Sequence, residues 1–366
     1  MRNIAHFVKL NAQCCAIFAY LYYIITIERS LDVRTFPGGK MAMKPKLIDQ
    51  VRNSLRQRNY AYSTEKTYIS WIKRYIGFHK MRHPKEMGEG EIREFLTHLA
   101  IDKKVSPKTQ NQALNSIIYL YKYILKIDLG EINLLRPRRS KHLPTVLSQR
   151  EVQKILSLLR GETKLMAKLI YGSGLRISEC LNLRIKDIDF ERSQVAVRDS
   201  KGNKDRVTML PQSLQDPLKE HLEGIKTLYS SDKKNNVEGV FMPYALDRKY
   251  PKAGKSWPWQ WVFPSRNLSK DPRSGIIRRH HRHGSSLRKS IKAAAKIASI
   301  HKQVTPHTFR HSFATHLLEN NYDIRTVQEL LGHKSVKTTM IYTHVLNKGP
   351  SAVMSPLDAP QIEKEK

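Results

Sequence analysis

TPHTFRHSFATHLL (305–318) opens like a helix and collects unusual side chains on one face of it. Thr305 suits the N-cap, and Pro306 suits the first helical position, where its missing N–H costs nothing. His307 then falls in the first turn, with Arg310 and His311 at i+3 and i+4 beside it. A helix N-terminus favours anions, and this one adds a guanidinium and imidazoles. Further on, YDIRTVQELLGH (322–333) reads as a helix capped by Asp323 and ended by a left-handed Gly332, with His333 projecting just beyond. Ser335 can cap the short helix that follows and carries Tyr342. A phenol with a solution pKa of about 10 is a poor nucleophile unless something removes its proton and stabilises charge at its target.

Upstream, YGSGLRISECLNL (171–183) is punctuated by Gly172 and Gly174 and places Arg176 three residues before Glu179. Alone, that pair reads as a surface i,i+3 ion pair worth a few tenths of a kcal/mol. SQVAVRDSKGNKDRVTML (193–210) reads as a β-hairpin, with Val195/Val197 and Val207/Met209 alternating on either side of a turn that carries Lys201. Alone, a turn lysine is solvated. Together, Arg176, Lys201, His307, Arg310, His333 and Tyr342 are what in-line attack on a phosphodiester needs without a metal. Two guanidiniums hold the non-bridging oxygens, an imidazole takes the phenolic proton, and an ammonium protonates the departing 5′ oxygen. The paired carboxylates of metal-dependent nucleases are missing from the motifs, so neither ATP, metal nor any other cofactor is expected.

The composition agrees. Sixty-five Lys+Arg against 32 Asp+Glu give a formal net charge of +33 and a pI near 10.1 in 366 residues. That surplus points to a polyanion, nucleic acid first, with anionic lipid or an inert basic protein as alternatives. Cys14, Cys15 and Cys180 form no spaced ligand or disulfide pattern, which fits a reducing compartment and a cytoplasmic protein at the nucleoid.

The length suits two domains. Residues 1–43 are read as an extension outside the working fold, in keeping with an overcalled start. The apolar run AIFAYLYYIITI (16–27) keeps a signal segment or membrane tether as the alternative. It is shorter than the ~18–20 residues a spanning helix needs, and no good cleavage site follows. Residues 44–133 read as a helical domain. One helix follows Ser63, a second starts at Glu91, and a long third runs unbroken from Pro107 to Leu125 behind Ser106. The aromatic stripe of Tyr68, Trp71 and Tyr75 follows the helical period and is read as core rather than a base-stacking face. Residues 134–147 are a basic, proline-containing linker. Ser148 and Glu151 then form a capping box that opens a second domain over 148–348, with an insertion at about 236–300 and a tail at 349–366.

The stretches GSGLRISE, SKGNKDR, HTFRHSFATHLL and LLGHKSVKTTMIYTH, with the helical segment ahead of them, resemble the tyrosine recombinase (phage integrase) superfamily over about residues 44–348. The resemblance implies a mainly α fold with a small β-sheet: a helical, SAM-like core-binding domain and a mixed α/β catalytic domain that clamp duplex DNA. It implies that Arg176 and Arg310 hold the scissile phosphate, with His307 as base, Lys201 as acid and His333 as a second phosphate ligand. Tyr342 would be the nucleophile of a 3′-phosphotyrosyl link, Glu179 would orient its neighbours, and four protomers would assemble on DNA. The block WPWQWVFPSRNLSKDPRSGIIRRHHRHG (257–284) is more narrowly similar to integron integrases, which recombine folded single-strand cassette sites with a duplex site. That similarity implies extrahelical bases lodged against Trp259, Pro272, His280 and His281, where aromatic and imidazole faces would stack on them. The closest competing reading is a general recombinase of duplex sites. A type IB topoisomerase and a catalytically dead DNA-binding protein are the other rivals.

Overall fold

The computed structural model describes residues 46–129, 144–200 and 204–345. The extension at 1–43, the linker at 134–147 up to residue 143, Lys201 and the tail at 349–366 lie outside the described residues. The chain divides into two compact units, before and after the boundary at Ser140 and Lys141.

The first unit is helical. It contains α1 (Leu47–Gln57), α2 (Tyr62–Phe78), α3 (Glu89–Ile101) and α4 (Pro107–Tyr119). The aromatic stripe follows its period into the core: Trp71 and Tyr75 are buried with Phe95, Leu114 and Ile117, while Tyr68 is half-buried against a second cluster that holds Ile72 and Tyr119. The buried phenols are satisfied, Tyr75 meeting Tyr121 at 3.0 Å and Tyr121 donating to the Met87 carbonyl at 3.1 Å. Three local expectations shift. The N-cap of α2 is Ala61, and Ser63 lies inside the first turn. Glu91 does not start α3 but reaches back from its third position to accept from the Gly88 N–H at 2.8 Å, the one half of a capping box that a glycine N-cap allows. The third long helix is not uniform, because after Tyr119 it widens into a π-helical turn, Leu120–Leu125, that stops at a left-handed Lys126.

The second unit begins with α5 (Gln149–Leu158), whose expected box is formed: the Glu151 N–H donates to Ser148 Oγ at 3.2 Å and the Ser148 N–H to Glu151 Oε2 at 2.7 Å. There follow α6 (Gly161–Ser173), α7 (Ile177–Leu181), and an antiparallel sheet ordered β1 (Ile188–Asp189), β2 (Gln194–Ser200), β3 (Lys204–Met209). Next come α8 (Gln215–Lys234), α9 (Tyr244–Lys249) and a small hairpin, β4 (Ser269–Lys270) with β5 (Ile277–Arg278). The unit closes with α10 (Gly284–Ile297), α11 (Pro306–Glu319), α12 (Ile324–Leu331) and α13 (Val336–Thr339), which tightens into a 3₁₀ turn, Met340–Val345. α6 packs against α10 and α11 over the main apolar core. Among the described residues no helix is long and apolar enough to cross a membrane.

Two features differ from the sequence reading. The apolar alternation of β3 points the wrong way. Val195 pairs with Thr208 and Val197 with Arg206, so the buried face of β3 carries Thr208 and Arg206, while Val207 is 53% exposed. Polar side chains tolerate that face because each is satisfied, Thr208 Oγ1 donating to the Ser173 carbonyl at 2.9 Å. The insertion, in turn, is not an appendage. Trp261, Val262 and Phe263 are buried, Val262 donates its N–H to the Leu183 carbonyl at 2.9 Å, and Arg184 bridges Trp261 in antiparallel fashion.

Candidate active site

Glu179 is the centre of the site. It lies in α7, is buried, and gathers three guanidiniums: Arg206 bidentately at 2.7 and 3.0 Å, Arg176 at 2.5 Å and Arg310 at 3.6 Å. Burial alone would raise its pKa. The hydrogen bonds and charge of Arg206, then the Arg176 N–H and charge, outweigh that and hold it at about 2. The expected surface ion pair is therefore part of a buried knot with a surplus of two positive charges.

Arg310 ties this knot to the rest of the site. Its Nη1 donates to the Gly174 carbonyl and its Nη2 to the Leu331 carbonyl, each at 2.6 Å. Both acceptors sit at glycine-dependent turns. Gly174 ends α6 at φ +62°, where a Cβ would lie 2.4 Å from the Phe313 ring. Gly332 ends α12 at φ +63°, where a Cβ would lie 2.7 Å from Arg206 Cδ. Arg206 also donates from Nε to the Leu330 carbonyl at 2.8 Å, so β3 and the end of α12 are joined through one side chain. Burial, followed by the charge of Arg176, lowers the Arg310 pKa to about 9.

The left-handed turn at Gly332 aims His333 back at this cluster. Its Nε2 lies 3.3 Å from Arg310 Nη2 and its Nδ1 3.0 Å from Thr339 Oγ1. Burial and then the charges of Arg310 and Arg176 lower its pKa to about 4. Tyr342, on the 3₁₀ turn after α13, is 1% exposed and packs with Phe313, Ala314, Val327 and Leu331. Its ring stacks on His333 with centroids 6.3 Å apart, and its hydroxyl lies 3.0 Å from His311 Nδ1. Burial raises the phenol pKa, while Arg310 and Arg176 pull it down.

The expected set is thus partly gathered. Arg176, Arg310, His333 and Tyr342 converge, Lys201 lies outside the described residues, and His307 stands at the exposed rim of the cluster. The phenol's hydrogen-bond partner is His311, not His307. Partial desolvation, then Arg310, Arg176 and Arg288, lower the His307 pKa. Arg206 joins the site from outside the expected set, because its inward place on β3 follows from the strand register and not from the local sequence.

The four expected base-contact residues are less unified. Trp259 is half-buried and meets cations rather than either histidine: Lys186 Nζ sits 3.0 Å from its ring centre and the Arg184 guanidinium 5.3 Å. Arg184 also lies 4.0 Å over Trp261 and donates to the Trp259 and Phe241 carbonyls at 2.6 and 2.7 Å. The His281 ring packs edge-on against Trp261, at 5.4 Å. Pro272 is exposed in the β4–β5 turn, and His280 is half-buried with an Nε2 that finds no hydrogen-bond partner among the described residues. Among those residues no group of three or more His, Cys, Asp or Glu stands placed to hold a metal.

Residues 145–348 match the phage integrase family, and residues 47–131 match the N-terminal SAM-like domain of phage integrases. The chain is 48% identical over 323 residues to an integrase/recombinase of Escherichia coli, covering 88% of this chain and 96% of that one. It is 33% identical over 306 residues to the tyrosine recombinase XerA of Thermococcus onnurineus, covering 82% and 90%. Its fold is similar to that of the XerH site-specific recombinase bound to a palindromic difH substrate, with TM-score 0.52, 22% identity, and 84% and 88% coverage. It is also similar to the Tn1549 transposon integrase in complex with transposon right end DNA, with TM-score 0.54, 15% identity, and 81% and 94% coverage. The protein belongs to the phage integrase family and is a tyrosine recombinase, an enzyme of DNA strand breakage and rejoining.

Proposed function

We propose that this protein is a recombinase of integron-integrase type, which integrates and excises gene cassettes through a 3′-phosphotyrosyl intermediate. The observation that carries the chemistry is the Tyr342 phenol held beside imidazoles and a surplus of guanidinium charge at the Glu179 knot. In this reading Arg176 and Arg310 bind the non-bridging oxygens of the scissile phosphate, His333 adds a further donor, and Lys201 protonates the departing 5′ oxygen. An imidazole of α11 takes the phenolic proton. The phosphodiester energy stays in the tyrosyl link, so strands rejoin without an external energy source. The partners are duplex DNA and folded single-strand sites in the bacterial cytoplasm, bound by four protomers.

The insertion supports the cassette reading. Of Trp259 and Trp261 only Trp259 is half-buried, so a splayed base would stack there in place of the Lys186 ammonium, and His280 has a buried Nε2 with no partner among the described residues. A second reading, recombination of duplex sites only, draws on the similarity to XerA. Covalent trapping on a denaturing gel tests both. Tyr342→Phe is expected to bind site DNA as the wild type does and to form no adduct. Wild-type adducts on a folded single strand, weaker on the same sequence as a duplex, favour the cassette reading. Adducts on the duplex alone favour the second.

A further inference from the structure

We propose that His311, one turn beyond the rim histidine of α11, is the catalytic group that accepts the Tyr342 proton during strand cleavage. The inference rests on the recombinase reading and assigns the proton acceptor within it. Each imidazole near the phenol can be judged by what its nitrogens already do. His333 spends Nδ1 on Thr339 and Nε2 on the Arg310 side, and presents only its ring face to Tyr342. His307 has its ring centre 6.4 Å from that of His311, on the outer side of it. His311 alone puts a nitrogen on the hydroxyl, Nδ1 at 3.0 Å, within the reach a general base needs.

The protonation states suit the role. The contact is read with the phenol O–H donating to Nδ1, which puts the ring proton of the neutral imidazole on Nε2. Burial, then the neighbouring His307 and Arg310, lower the His311 pKa to about 4, so the ring is neutral and free to accept at neutral pH. Incoming phosphate charge would raise its basicity at the moment of attack. His311 is half-buried and Nε2 makes no hydrogen bond among the described residues.

The step balances without a further reactant. The Tyr342 Oη–phosphorus bond forms and the phosphorus–5′ oxygen bond breaks. The phenolic proton passes to His311 Nδ1, and the 5′ oxygen takes a proton from Lys201. Rejoining reverses both transfers, the His311 imidazolium returning its proton to the departing phenol oxygen.

The test uses the full chain and a duplex recovered from a random-sequence pool by covalent capture on the wild-type protein, nicked beside the scissile phosphate so that cleavage is irreversible. His311→Asn, which keeps a polar atom near the Nδ1 position but cannot take up a proton, and His311→Phe are each expected to slow adduct formation roughly 10²–10⁴-fold. Replacing Tyr342 by 3,5-difluorotyrosine, a stronger acid, is expected to restore at least tenfold in the His311→Asn background above pH 8 and to change the wild type little. A merely structural role predicts no such selective rescue. His311→Asn at the wild-type rate, a faster His311→Phe, or equal fluorotyrosine effects in both backgrounds would overturn the assignment. If the wild-type protein captures no duplex at all, the recombinase reading beneath it fails instead.

Discussion

The Glu179 knot and the Trp259–His281 block are both rich in arginine, yet they are finished to different degrees. In the knot every charged side chain has a partner at bonding distance: Glu179 takes Arg176 and Arg206, and Arg310 spends itself on two carbonyls. In the block, Arg184 is similarly anchored, but His280 Nε2 and Arg278 Nε are buried without a hydrogen-bond partner among the described residues. A closed polar network rigidifies, whereas a half-satisfied one costs free energy until something completes it. The knot is therefore preorganised, with its surplus positive charge already in place. The block keeps buried polar atoms without a partner among the described residues.

Breaking the knot should have the largest effect. Glu179→Gln leaves three guanidiniums around a neutral amide, and loss of one partner of a buried pair costs about 3–5 kcal/mol. Urea unfolding should show that loss, and adduct formation should fall with it. Gly332→Ala comes next. It puts a Cβ at φ +63° against Arg206, at a cost of order 1–3 kcal/mol, and should loosen His333 enough to slow cleavage even in protein that remains folded.

Acid offers a milder probe. His311 and His333 have folded pKa values near 4 against an ordinary 6.5, so the unfolded chain takes up protons first as pH falls. Their contribution is complete above pH 6.5 and is lost on the way to pH 4, and Glu179, held at about 2 against 4.5, adds its own loss below that. Thermal melts from pH 7.5 to 4 should show a falling melting temperature, and the fall should be shallower in His311→Ala/His333→Ala. The smallest stability effect belongs to the block. His280→Leu removes an unsatisfied nitrogen and should change stability by less than about 1 kcal/mol, yet it should weaken adduct formation on a folded single-strand site while sparing a duplex. A large loss of stability there would erase the contrast between the two regions.

Local chemistry was legible without coordinates wherever a few consecutive residues settle a backbone. Ser148 with Glu151, Thr305 with Pro306, Asp323 and the left-handed Gly332 all act as their residue types require, because capping satisfies orphaned N–H and C=O groups within one turn. The reading failed where partners come from afar. Nothing in DRVTML announces that Arg206 and Thr208 face inward, since alternation favours Val207 and Met209. The inward face is decided by Glu179 and the Ser173 carbonyl, distant in sequence and adjacent in space. Likewise His307 and His311 share one face of α11, and periodicity cannot choose between them. Only the placement of the turn after α13 brings the phenol to His311.

By itself, then, the sequence determined most of the helices and the caps of the second unit, the ordered set of cationic and phenolic groups, and the polyanion that a charge of +33 calls for. The tertiary structure decided which of those groups touch, because hydrogen bonds and desolvation act over a few ångströms between elements that the chain order leaves far apart.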